Sequence, residues 1–380
     1  MLVVVAMSGG VDSSVTAALL QRQGHEVVGV TMQIWPDDGL EREERRGGCC
    51  AAGAVRDARA VAEALGIPYY VFHMREAFER QVIHQFADAY AVGRTPNPCI
   101  ACNRHIKFVA LADKARRLGA GALATGHYAR LSVAEDGTPC LRRAADRRKD
   151  QSYVLHPLRR EELPFFRFPL GEVESKAETR AWARSMGLPV ADKPDSQEIC
   201  FVGEQGYAAV VEERHPEALR AGPILDVAGR EIGTHRGLAR YTVGQRRGLG
   251  LEGPAPRFVV AIDAARNALV VGGPSDSFAA ACSLGQVNWL APPPPDGTAV
   301  TAQVRAGPTE HPARVCMEGD GVRVAFDPPV RAVTPGQACV LYDGDVVLGG
   351  GEIDAVERVA GVPLQPPVVS RATQPPSTSR

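Results

Sequence analysis

The feature that most limits the fold lies near the start of the chain. The apolar run Val3-Val4-Val5-Ala6-Met7 stops at Ser8-Gly9-Gly10-Val11-Asp12-Ser13-Ser14, after which apolar residues recur at Val11, Val15, Ala18 and Leu19. A β-branched run reads as a strand, and recurrence at three and four residues reads as a helix face. A glycine-rich turn between them is the opening of a parallel βαβ unit. The glycines let backbone N–H groups approach a ligand closely, and the helix N-terminus favours an anion. Ser8, Ser13 and Ser14 add hydroxyls. A Walker A loop requires Gly-Lys-Ser/Thr, and this loop has no lysine. The turn is therefore either a pyrophosphate cradle without the P-loop lysine or a plain glycine turn. Asp12 is placed to orient Mg²⁺ or to cap the helix.

The alternation continues. Residues 27–32, 68–72 and 121–125 read as strands, and 54–65, 78–92 and 106–118 as helices. This predicts an α/β domain with a doubly wound parallel sheet over residues 1–205. After Tyr207, short Val-rich stretches alternate with Gly and Pro at 257–262, 268–273, 299–304, 322–326, 338–341 and 346–348. The last two flank Asp343-Gly344, a hairpin signal. A small β-rich central domain (206–277) and a C-terminal β-barrel (278–360) are expected. The Pro-, Ser- and Thr-rich tail (361–380) is expected to be disordered, and the charge-dense run Asp37–Arg46 a solvated loop.

A length of 380 residues suits two or three domains. With 45% hydrophobic and 23% charged residues, wholesale disorder, collagen and coiled coil are excluded. A net charge of −1 supplies no global field toward nucleic acid or membrane, so any attraction must be local. No apolar run reaches the roughly 18 residues of a bilayer span. The first apolar run lacks the basic leader of a signal peptide. A cytoplasmic protein with no membrane partner is expected.

The nine cysteines are odd in number and thinly spread, unlike a secreted disulfide framework. Cys99 and Cys102 lie three apart in Thr95-Pro96-Asn97-Pro98-Cys99-Ile100-Ala101-Cys102-Asn103, at or just before a helix start, where the dipole favours thiolate. They are half a metal site or two inert thiols. Cys200, in Asp195-Ser196-Gln197-Glu198-Ile199-Cys200-Phe201, is a core residue taken alone and a sulfur-carrier candidate beside a phosphate loop. Cys49-Cys50 is either incidental or a sulfur relay. Cys140, Cys282, Cys316 and Cys339 read as packing residues. Residues 142–149 hold five basic side chains against one Asp, a phosphate stripe or a solvated loop.

The first loop resembles the SGGxDS signature of the ATP pyrophosphatase superfamily, whose members split ATP between the α- and β-phosphates to adenylate a carbonyl or carboxylate. It is joined, in order, by Gly126-His127-Tyr128, Lys149-Asp150-Gln151-Ser152-Tyr153, Asp195–Phe201, Tyr241-Thr242-Val243-Gly244-Gln245-Arg246-Arg247-Gly248-Leu249 and Pro335-Gly336-Gln337. With these the chain resembles the tRNA-specific 2-thiouridylases over about residues 1–355. The resemblance implies ATP- and Mg²⁺-dependent replacement of the C2 oxygen of the wobble uridine, U34, by sulfur. It implies ATP contacts at Ala6, Met7, Ser8, Gly9, Gly10, Val11, Asp12, Ser13, Met32 and Gly126. It makes Cys200 the persulfide carrier and Cys102 its partner, the cycle ending in a Cys102–Cys200 disulfide. Contacts to the target base and tRNA fall on Asn97, Pro98, Cys99, His127, Lys149, Asp150, Gln151, Arg305 and Gln337, and Arg246 and Arg247 could grip phosphate. The implied partners are the tRNA anticodon stem-loop and a sulfur donor such as a cysteine desulfurase or a relay protein.

One departure stands out. Many family members carry Asp, considered the general acid/base, where this chain has Cys99. A thiol with a pKa near ~8.5 copies a carboxylate near ~4 poorly. Cys99, Cys102 and Cys200 together could instead hold a [4Fe–4S] cluster with one iron open, and sequence leaves cluster and persulfide both standing. Two rivals also stand. One is another adenylating synthetase, which gives Cys200 no role. The other is a tRNA-binding zinc or redox sensor without turnover.

Overall fold

The computed structural model describes residues 1–35, 52–195, 199–202, 205–253, 255–319 and 321–359. The charged run Asp37–Arg46, Cys49-Cys50, the residues Ser196, Gln197 and Glu198, and the tail 361–380 lie outside the described residues.

Among the described residues the first 205 contribute β1 (Leu2–Ala6), β2 (Glu26–Gln33), β3 (Tyr69–His73), β4 (Ala122–Thr125), β5 (Ala129–Val133), β6 (Pro139–Arg143) and β7 (Phe166–Arg167). One parallel sheet runs in the order β3-β2-β1-β4-β7. Both of its faces are covered, so its strands read as unbroken apolar runs. Val3 and Val5 pack with Val11 and Val15 of α1 (Val11–Arg22) and with Ala58 and Val61 of α2 (Ala52–Leu65). Val4, Val28 and Val30 face the other way, onto Phe78, Phe86, Ile106 and Phe108. Chain order reverses between β1 and β4, which places a switch-point crevice at the carboxyl ends of those two strands.

The helix expected from residue 106 starts eight residues earlier, running through Pro98–Ala101, Cys102–Leu111 and Ala112–Arg117. Asn97 causes the early start. Its Oδ1 accepts from the N–H groups of Cys99 (3.1 Å) and Ile100 (3.4 Å), and Pro98 takes the first helical position, where no N–H is needed.

The hairpin β5–β6, unanticipated in the sequence, joins the C-terminal sheet through Val346↔Arg142. The helix Tyr207–Arg214 packs back on the first domain, with Tyr207 stacked on Tyr90 at 4.8 Å. The central sheet then follows, with β8 (Gly222–Asp226), β9 (Glu231–His235), β10 (Phe258–Asp263) and β11 (Ala268–Gly272) in the order β10-β11-β8-β9.

The last unit is antiparallel: β12 (Phe278–Trp289), β13 (Ala299–Gln303), β14 (His311–Glu318), β15 (Gly321–Arg331), β16 (Ala338–Asp343) and β17 (Val346–Arg358). Its order, β12-β15-β14-β13-β16-β17, is closed by pairing of β17 with β12. Closure removes the free edges that such a sheet would otherwise present. Cys282 and Cys339 are buried in its apolar interior. No helix among the described residues is long and apolar enough to cross a membrane.

Candidate functional site

The loop after β1 is held open by glycine and serine. Gly9 has φ +66°, and a Cβ there would lie 2.3 Å from the Ala54 carbonyl oxygen. Only glycine lets α2 approach the turn this closely. Gly10 is the N-cap of α1, and a Cβ on it would meet only Ser8 Oγ, at 3.5 Å. Ser13 Oγ accepts from the Ser8 N–H (3.1 Å), lies 3.3 Å from Ser8 Oγ and donates to the Gly10 carbonyl (3.2 Å). The first-turn N–H groups of α1 have no carbonyl partner within the helix by geometry. Gly126, at the end of β4, keeps them uncovered, since a Cβ there would sit 2.7 Å from the Ser13 nitrogen.

Positive charge comes from outside the loop. Lys176 Nζ donates to both Asp12 oxygens, at 2.6 and 2.7 Å, and lies 3.1 Å from Asp195. The Tyr128 hydroxyl donates to Asp12 Oδ1 at 2.7 Å and meets Thr179 Oγ1 at 2.9 Å. Burial, then the Asp12 charge, push the Tyr128 hydroxyl well above its ordinary pKa, so it remains a donor. Lys193 Nζ donates to the Gly9 carbonyl at 3.0 Å and to Asp57. Lys149 and Arg180 converge on Asp195 at 3.3 and 3.0 Å. Burial works to raise the Asp195 carboxyl. Hydrogen bonds and charge from Lys176 and Lys149 outweigh it and hold the pKa below the ordinary value.

Lys176 and Lys193 were missed in the sequence because they lie more than 160 positions from the loop. One local signal exists. Ser175 is the N-cap, the Glu178 N–H donating to Ser175 Oγ at 3.3 Å, which places Lys176 in the first turn of the helix Lys176–Ser185. A cation there opposes the helix dipole and needs compensation, which Asp12 and Asp195 provide.

The remaining nucleotide candidates fall around this crevice. Ala6 ends β1. The Met7 side chain is buried, and its N–H donates to the Val30 carbonyl at 2.8 Å. Met32, near the end of β2, is buried in the same apolar cluster against which Cys102 and Cys200 pack. Cys99 is exposed on the first turn of its helix, while Cys102 and Cys200 are half-buried. Phe201 anchors the second cysteine segment, with its ring 5.1 Å from Phe86 and 6.0 Å from Phe78. Among the described residues no three His, Cys, Asp or Glu side chains are gathered to hold a metal ion.

The expected tRNA contacts divide into two groups. Lys149, Gln151 and Arg305 have accessible side chains, as do Arg246 and Arg247 on the Gly244 turn. Others face inward. His127 is 8% exposed, its Nδ1 2.6 Å from Thr125 Oγ1 and its ring 5.8 Å from Phe108. Asp150 accepts from the Ala144 N–H (2.9 Å) and Ser152 Oγ (2.8 Å). Gln337 Nε2 donates to the Thr95 carbonyl at 2.8 Å, two residues before Asn97.

In the run 142–149, read as a phosphate stripe or a solvated loop, most of the cations have acidic partners. Arg143 is buried, paired with Asp150 (3.3 Å) and Glu310 (3.2 Å) over the Tyr342 ring (3.3 Å). Arg147 pairs with Asp345 at 2.8 Å, and Arg148 with Asp146 at 3.2 Å. Acidic partners from the barrel and the local turn neutralise most of the run.

Three family models match the chain. A tRNA methyl transferase HUP domain matches residues 1–204, a tRNA methyl transferase PRC-barrel domain 209–273, and an aminomethyltransferase β-barrel domain 279–353. The chain is 53% identical over 353 residues to the tRNA-specific 2-thiouridylase MnmA of Chloroflexus aurantiacus, covering 92% of this chain and 98% of that protein. It is 50% identical over 361 residues to the protein of the same name from Symbiobacterium thermophilum, covering 93% and 92%. Among solved structures, a 4-thiouridine synthetase in complex with RNA and ATP aligns at 19% identity and a TM-score of 0.34, over 53% of this chain and 44% of that one.

Proposed function

The chain belongs to the tRNA-specific 2-thiouridylase family, and we propose that it replaces the C2 oxygen of the wobble uridine of tRNA by sulfur, with ATP cleaved to AMP and pyrophosphate. The observation that carries this reading is the crevice itself. A lysine-flanked loop leaves the carboxyl end of β1, and the helix that leads into the parallel strand β4 begins at a capped turn bearing Cys99 and Cys102, so both belong to the carboxyl side of one sheet.

The chemistry needs both halves. Uracil C2 is a poor electrophile, and its oxygen a poor leaving group. The C2 oxygen attacks the α-phosphorus of ATP and pyrophosphate departs. Ser8, Ser13 and the first-turn N–H groups of α1 hold the phosphates, and Lys176 and Lys193 supply the charge that the loop lacks. Met32 and Gly126 flank the nucleotide. Mg²⁺ entering with ATP would offset the triphosphate charge, with Asp12 as the carboxylate that the loop would offer it.

The terminal sulfur of a persulfide on Cys200 then attacks C2, and AMP leaves. The Cys102 thiolate attacks Cys200 Sγ, breaking its S–S bond and leaving the outer sulfur on C2. A Cys102–Cys200 disulfide forms, and a dithiol reductant resets it with two electrons. Asn97, Pro98 and Cys99 meet the base, which must leave the anticodon stack first. Lys149, Gln151, Arg305, Arg246 and Arg247 contact tRNA, and His127, Asp150 and Gln337 support them from beneath. Sulfur reaches Cys200 from a cysteine desulfurase or a relay protein, in the cytoplasm.

The test is reconstitution. Purified protein, ATP, a tRNA transcript and a persulfide donor are combined, and the digested tRNA is searched for 2-thiouridine. Formation of 2-thiouridine with matching AMP supports the reading. AMP formation driven by ammonia or an amino acid without tRNA contradicts it. Near-stoichiometric iron after anaerobic purification, lost with Cys99→Ala, would replace the persulfide scheme.

A further inference from the structure

The stretch Gly93-Arg94-Thr95 leads into the cysteine-bearing helix and lies where the three units of the molecule meet. A Cβ on Gly93 would sit 2.7 Å from Ile262 Cγ2 of β10, so the central sheet abuts the chain there. Arg94 reaches the barrel. Its Nε lies 2.9 Å from Glu352 Oε1, and its Nη2 donates to Glu352, to Asp354 Oδ1 (2.8 Å) and to the Ile353 carbonyl (3.0 Å). Glu352 and Asp354 lie on either side of the core residue Ile353 on β17, and Arg94 draws both carboxylates to one side. Without a cation between them, two carboxylates on one face repel.

Thr95 is held by both backbone groups. Its N–H donates to the Pro335 carbonyl at 2.9 Å, and its carbonyl accepts from Gln337 Nε2 at 2.8 Å. Gly336, at φ +92°, makes this approach possible, since a Cβ there would lie 2.7 Å from the Thr95 nitrogen. From Thr95 the chain runs through Pro96-Asn97-Pro98. Two prolines with fixed φ make this a stiff link, so displacement of Thr95 is carried to the capped turn holding Cys99 and Cys102.

We infer that Arg94 is a positioning residue for sulfur transfer. Its grip on Glu352 and Asp354 uses the barrel to fix where the Cys99–Cys102 turn stands, while the phosphate loop, built on other contacts, does not depend on it. This rests on the proposed function above.

The test compares wild type, Arg94→Ala, Arg94→Lys and the double variant Glu352→Gln/Asp354→Asn in single turnover. Three quantities are read: tRNA-dependent pyrophosphate release, 2-thiouridine formation, and the iodoacetamide alkylation rate of the Cys102 peptide across pH. The expected result for Arg94→Ala is thiolation slowed about 10- to 100-fold, pyrophosphate release slowed by a smaller factor because the base met by Asn97, Pro98 and Cys99 shifts with the turn, and faster Cys102 alkylation. Arg94→Lys recovers part of the loss. Equal loss of both steps, or no loss of either, overturns the inference. If Arg94→Ala does not fold, the double variant, which keeps the arginine, carries the same comparison. A wild type without tRNA-dependent pyrophosphate release defeats the functional reading instead, and the alkylation profile still decides the positioning claim.

Discussion

The phosphate loop is assembled from neighbours in sequence: Ser8, Gly10 and Ser13 bond one another across three to five positions. The approach to Cys99 is assembled from strangers, since Arg94 and Thr95 take partners 240 to 260 positions away, in the barrel. The contrast separates two ways of making a reactive site. A loop that must bind any ATP can be specified locally by glycine, serine and a helix dipole. In the proposed function, a thiol that must wait for one base in one large substrate is positioned through contacts with the barrel. The lysines lie between these cases. Lys176 is remote in sequence, yet the Ser175 N-cap beside it places it.

The sharpest break of this contrast is Lys176→Ala. Losing one preorganised cation at a charge-developing site slows the reaction by roughly 10²–10³-fold. Pyrophosphate release is expected to fall by that factor with tRNA affinity unchanged, and a fall in thiolation alone would put Lys176 on the wrong half of the site.

Next in size is Arg143→Met, which leaves Asp150 and Glu310 without their shared cation where β6 meets the barrel. Breaking such a buried pair costs about 3–5 kcal/mol. Denaturant unfolding is expected to show that loss, and a change within experimental error would mean that the hairpin is not anchored there.

Gly336→Ala acts at the clamp alone. A non-glycine residue at its positive φ costs about 1–3 kcal/mol, to which crowding of the Thr95 nitrogen adds. Thiolation is expected to drop several-fold with a smaller drop in pyrophosphate release, and equal loss of both would erase the distinction between the halves.

The smallest effect is one of pH. Asp195 has a folded pKa depressed below its ordinary 3.8. Its contribution is therefore full above pH 3.8 and lost as pH falls through the folded pKa. The side chain is 26% exposed, so solvent screens part of it. Asp195→Asn is expected to flatten the acid limb of the stability curve below that pH. An unchanged acid limb would show that Lys176 and Lys149 do not stabilise its charge.

This contrast also marks what the sequence made legible. The strand–loop–helix at residues 3–19 was readable because all of its determinants are local. The Val-rich strands of the barrel were readable because a period of two survives without context. The start of the helix at Pro98 was readable in principle from Asn97-Pro98, but the flanking prolines favoured an extended reading. The hairpin β5–β6 was hidden because its arginines look like a solvated stripe, and only Asp150, Glu310 and Asp345, brought together by folding, reveal an anchor. Gln337 looked like a surface contact for RNA. Nothing local to Pro335-Gly336-Gln337 says that its amide would be occupied by Thr95.

The central claim is that the two halves perform separable steps on one substrate. The most direct measurement is single-turnover pyrophosphate release and 2-thiouridine formation by Cys200→Ala beside wild type, with the same tRNA transcript and persulfide donor. The account predicts that the variant binds tRNA and releases pyrophosphate as wild type does, yet forms no 2-thiouridine. Thiolation by Cys200→Ala would contradict it.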